Sequence, residues 1–61
     1  MTPTARVGAW NRKHPVGTAV KYREAVITQT AKQAFLDAIG KPLIWLEYIA
    51  DPVPLEDIKL V

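Results

Sequence analysis

The stretch Gly40–Ala50, GKPLIWLEYIA, constrains the fold of this chain most. It is the longest apolar run, and it opens with Gly40 and Pro42, residue types that punctuate turns. Leu43, Ile44, Trp45, Leu46, Tyr48 and Ile49 are β-branched, aromatic or aliphatic, which suits a pleated, buried surface. The run is far shorter than the about 20 residues a membrane-crossing helix needs. It predicts a central strand over residues 41–50. Strand alternation places Ile44, Leu46 and Tyr48 on one face and Leu43, Trp45, Glu47 and Ile49 on the other. A carboxylate is seldom fully buried without a partner, so the Ile44 face is the expected core and Trp45 lies on the more exposed side.

The other elements are expected to pack around that strand. A chain of 61 residues makes one domain and buries only about 60% of its unfolded surface, so the core is small. There is no cysteine, hence no disulfide and no thiolate metal site, and His14 alone does not make a histidine site. Self-association is one route to extra stability for so small a core. MTPTARVGAW lacks the apolar centre of a signal peptide and no segment reaches membrane-spanning length, so a cytoplasmic protein is the expectation.

Taken in order, residues 1–13 read as an N-terminal arm, in which Trp10 is expected to dock on the domain. His14-Pro15-Val16-Gly17 reads as a turn that opens a single domain over 14–61. Thr18–Ala25 alternates, with Val20 and Tyr22 on one face and Lys21 and Arg23 on the other, the period of a half-buried strand. Val26–Thr30 continues in β-formers, either as a second strand or as a bent continuation of the first. Residues 30–40 follow helix rules, with Thr30 as a cap, Gln33 at the capping-box position and Gly40 past the end, so a short helix at 31–39 in an α+β fold stands as an alternative. Pro54–Ile58 predicts a single 3-10 turn, and residues 58–61 a closing strand. The expected core is Val20, Tyr22, Ile27, Phe35, Ile44, Leu46, Leu55 and Ile58.

Several of these pieces occur together in a group of small proteins encoded by phages and prophages. They are His14-Pro15-Val16-Gly17-Thr18, Val20-Lys21-Tyr22, Thr30 with Ala34-Phe35, Gly40 through Glu47, and Val53 through Ile58. The chain resembles that group over residues 14–58. The resemblance implies a mainly β, SH3-like small barrel of about five short strands, with 30–35 as a strand turning through 36–41 into the central one. It brings no assigned activity, since such barrels host many functions. The chain departs from the pattern at Asp37-Ala38, where glycine and leucine would favour a hairpin, and at Tyr48, where glycine is usual.

The chemistry argues for binding rather than catalysis. The chain contains no serine or cysteine, and its one histidine lies in a turn. Asp51, Glu56 and Asp57 do not follow the ligand spacing of a calcium loop. No catalytic residue, metal, cofactor or small-molecule substrate is therefore expected. The leading expectation is a protein-interaction module using Leu43, Trp45, Glu47 and Ile49 as a patch ringed by charge. The resemblance implies a phage origin and with it a host protein as partner, in defence or transcription machinery, and the same patch would serve a homodimer. Charge supports an alternative. Residues 1–33 hold Arg6, Arg12, Lys13, Lys21, Arg23 and Lys32 against Glu24, a net +5, whereas residues 34–61 hold Lys41 and Lys59 against five carboxylates, a net −3. A nucleic-acid-binding surface would then use Arg6, Trp10, Arg12, Lys13, Lys21 and Arg23.

Overall fold

The computed structural model describes residues 2–61. It is mainly β, with two three-stranded antiparallel sheets, one α-helix and one 3-10 turn.

The N-terminal segment corrects the expected arm. Pro3–Lys13 is an α-helix, α1. Thr2 caps it, its Oγ1 accepting from the Ala5 amide at 3.1 Å, and Pro3 fills the first turn, where no amide donor is needed. Arg12 and Lys13 lie in the last turn, where cations suit the helix dipole. The Thr-Pro pair was the available signal for this start. Residue 1 of the expected arm lies outside the described residues. Val7 and Trp10 pack against the core, so Trp10 docks as expected. Asn11 fastens the helix to residue 34: its carboxamide donates to the Ala34 carbonyl at 3.0 Å and accepts from the Ala34 amide at 2.9 Å.

The first sheet contains β1 (Ala19–Tyr22), β2 (Val26–Gln29) and β6 (Ile58–Leu60), in the order β2-β1-β6. β1 and β2 form a hairpin, not one bent strand. Arg23 and Glu24 at its tip both have positive φ, 50° and 59°, as a type I′ turn demands. They are also tied to the neighbouring segment: the Arg23 Nε donates to Asp57 Oδ2 at 3.2 Å, its amide donates to the Asp57 carbonyl, and Glu24 accepts from Lys59. Ile27 departs from the expected core. It stands opposite Lys21 in the register, and opposed residues share a face, so it points outward and is 67% exposed.

The second sheet contains β3 (Phe35–Leu36), β4 (Pro42–Ile44) and β5 (Val53–Pro54), in the order β3-β4-β5. This excludes the helix alternative at 31–39. Asp37 replaces the glycine a hairpin would favour: its Oδ1 accepts from the amides of Ile39 and Lys41 at 3.0 and 2.8 Å, and Gly40 takes φ 81°. The two sheets join in two places. A Thr30–Leu46 bridge links the extensions of β2 and β4, and the expected 3-10 turn, Leu55–Asp57, carries β5 directly into β6.

The buried core is Val20, Ala34, Ile44, Leu46, Val53, Leu55 and Ile58. Five of the expected core residues are among them, and Tyr22 is half-buried against the cluster. The expected central strand is shorter than 41–50: after the bridge at Leu46 the chain turns at Glu47 and Tyr48. Tyr48 is therefore not on the core face but 99% exposed, with φ 67°.

Candidate functional site

The outer face of the second sheet is built from its register. Leu43 of β4 stands between Phe35 of β3 and Pro54 of β5, so these three form one cross-strand row. Ile44, next to Leu43 in sequence, is fully buried on the other face. The row is thus turned away from the core, which places Phe35 outside it, contrary to expectation. All three residues are half-buried. Trp45, two positions beyond Leu43, is half-buried as well, and the Lys32 ammonium lies 5.7 Å from its ring centre, within cation–π range.

Backbone contacts fix the end of this face. The Ala31 amide donates to the Trp45 carbonyl at 2.9 Å, the Glu47 amide donates to the Gln29 carbonyl at 2.9 Å, and Thr28 Oγ1 donates to the Glu47 carbonyl at 2.9 Å. The chain beyond Glu47 then reverses, so that Ile49 packs against the core. Of the four residues expected to form a protein-binding patch, Leu43 and Trp45 share a strand face, Glu47 begins the turn and Ile49 points inward. Sequence reasoning missed Phe35 and Pro54 as part of this face, and Tyr48 as an exposed aromatic; the glycine-like demand at position 48 was the one local signal.

The six residues of the nucleic-acid alternative fall in four places. Arg6, Trp10 and Lys13 lie at helical spacing on one side of α1. Arg12 is exposed and lines neither hollow beside the helix. Lys21 is on the outer face of the first sheet, opposite Ile27 and Lys59, and Arg23 is held at the hairpin tip by Asp57. They make no continuous basic track.

Two adjoining hollows flank α1. One, of about 190 Å³, lies between Arg6 and the Lys41-Pro42 end of β4, with Glu56 at its side. The other, of about 220 Å³, runs past Arg6, Trp10 and Lys13 over Leu55 and Ile58. His14 flanks it, its ring 4.2 Å from that of Trp10 between centroids.

Thr30 explains why the His-Pro-Val-Gly-Thr segment has its composition. Thr30 is buried, and its Oγ1 accepts from the Gly17 and Thr18 amides at 2.9 and 3.2 Å. Thr18 Oγ1 donates to the Pro15 carbonyl at 2.6 Å, and Gly17 adopts φ 98°. These residues build a turn rather than a reactive centre.

Among the described residues there is no group of three or more side chains able to hold a metal ion, and no helix long and apolar enough to cross a membrane. No protein-family model, curated protein or solved structure matches the chain.

Proposed function

We propose that the protein is a small, non-catalytic binding module that engages a protein partner through the outer face of its second sheet. The observation that carries this reading is the apolar row Phe35–Leu43–Pro54, extended by Trp45 and turned away from the core. Aromatic and aliphatic side chains gathered on one face, with charge at the margin in Lys32 and Glu47, match the make-up of interface centres. Tyr48 adds a wholly exposed aromatic three residues beyond Trp45.

The fold is read here as an SH3-like small barrel, supported by the two junctions between the sheets, the Thr30–Leu46 bridge and the 3-10 turn. A phage or prophage origin, with a host cytoplasmic protein as partner, is the accompanying reading and rests on the sequence resemblance. The scattering of Lys21, Arg23 and Arg12 away from Arg6 and Lys13 favours protein over nucleic acid as the ligand of the module.

The test is affinity capture from nuclease-treated lysate with the wild-type protein, Trp45→Ala and Lys21→Glu, each confirmed as folded by circular dichroism. A specific protein retained by the wild type and Lys21→Glu, and lost with Trp45→Ala, is the expected result. Loss of every captured protein on nuclease treatment, or capture indifferent to Trp45→Ala, overturns the reading.

A further inference from the structure

We propose that the cleft along α1 is a second binding site, for an extended acidic peptide with an aliphatic residue between two carboxylates. The proposal does not rest on the outer face of the second sheet.

Positions 6, 9, 10 and 13 follow the i, i+3, i+4, i+7 spacing and share one side of α1. Cations stand at both ends of that side, Arg6 and Lys13, with Ala9 and Trp10 between them. Leu55 and Ile58 form the opposite, apolar wall. Lys41 adds a third cation where the cleft continues past Arg6. Among the described residues none of these three cations has a carboxylate within ion-pair distance, although Glu56 lines the same hollow. The cleft is therefore a shallow apolar trough, floored by Leu55 and Ile58 at 3% and 7% exposure, with a cationic rim that Glu56 interrupts on the Lys41 side.

That pattern selects its ligand. Seven residues of helix put the backbones of Arg6 and Lys13 about 10 Å apart. In an extended peptide, residues i and i+4 lie about 13 Å apart on one face, with residue i+2 between them. Two glutamates in Glu-x-Leu-x-Glu can then meet the two flexible cations while the leucine meets the trough. Nucleic acid fits less well, because the Leu55–Ile58 wall has no use for a sugar-phosphate chain and His14 already lies against the Trp10 ring.

The experiment is fluorescence anisotropy of a labelled Glu-Ala-Leu-Ala-Glu peptide at low salt. A Lys-Ala-Leu-Ala-Lys peptide and a short oligothymidylate serve as comparison ligands. Saturation below about 1 mM by the acidic peptide alone is expected. Arg6→Glu/Lys13→Glu should weaken it about tenfold or more, and the charge-matched Arg12→Glu/Lys21→Glu less than about twofold. Should the first double variant misfold, Lys41→Glu reads the same rim. The proposal is overturned by no saturation, by equal binding to the variants, by stronger binding of the oligonucleotide, or by ligand-free self-association that Arg6→Glu/Lys13→Glu abolishes.

Discussion

The Asn11 carboxamide pairs with the backbone of Ala34 in both directions, donating to its carbonyl at 3.0 Å and accepting from its amide at 2.9 Å. The side chain thereby acts as a strand neighbour for a segment that α1 meets at its edge. Ala34 is buried, so Asn11→Ala leaves a donor and an acceptor poorly satisfied and should cost about 1–3 kcal/mol. Asn11→Asp keeps the acceptor but sets a carboxylate against the Ala34 carbonyl, so it should not rescue. Urea unfolding followed by tryptophan fluorescence measures both.

Thr30 holds the 14–18 turn through its hydroxyl. Thr30→Val preserves the shape and removes the hydroxyl, while the Gly17 amide retains the Thr30 carbonyl and the Thr18 amide the Pro15 carbonyl as acceptors. A loss of about 0.5–1.5 kcal/mol is expected for the hydroxyl, and Thr30→Ser measures the methyl group separately. A larger loss in Thr30→Ser than in Thr30→Val would show that packing of the methyl group matters more than the hydroxyl.

Tyr48 carries backbone strain without a compensating contact, being 99% exposed at φ 67°. Left-handed backbone costs a bulky residue about 1–2 kcal/mol, and glycine returns part of that gain as chain entropy. Tyr48→Gly should therefore stabilise the fold by about 0.5–1 kcal/mol. A lower urea midpoint would refute this account.

Leu46 and Ile27 separate the inner from the outer surface. Leu46 is buried at the bridge between the sheets, and Leu46→Ala should cost about 2–5 kcal/mol, enough to unfold much of a domain this small. Ile27→Ala, on the exposed face, should change stability by less than about 0.5 kcal/mol.

Glu24 and Lys59 give stability a pH dependence. The hydrogen bond from Lys59, and then its charge, hold the Glu24 carboxyl below the usual glutamate range, and the same bond raises Lys59. A lowered carboxyl stabilises the fold above its ordinary range and loses that contribution as pH falls through the folded value. A raised lysine contributes below its ordinary range and loses it as pH rises through the folded value. Thermal unfolding between about pH 5 and 3 should fall less steeply in Glu24→Gln than in the wild type. Because both groups are solvent-exposed, the difference should be small and shrink with added salt.

The sequence by itself determined the β character and most of the core. Alternation at Val20 and Tyr22, the apolar Ile44 and Leu46, and the Pro54–Ile58 punctuation act over a few residues, and a period-2 pattern needs no distant partner to be legible. Thr2-Pro3 also signals a helix start, although residues 1–13 read as an arm. Only the tertiary structure decided residues 31–39. Their local preference is helical, but Asn11 ties down Ala34 and the β4 register holds Phe35–Leu36 as a strand, and tertiary hydrogen bonds outweigh propensity differences of a few tenths of a kcal/mol per residue. Pairing also decided the sides: Ile27 faces outward because it opposes Lys21, and Phe35 because it opposes Leu43. The α1 cleft was beyond any local pattern, since it brings residues 6–13 against 41 and 55–58, and contacts so distant in sequence exist only once the helix has docked.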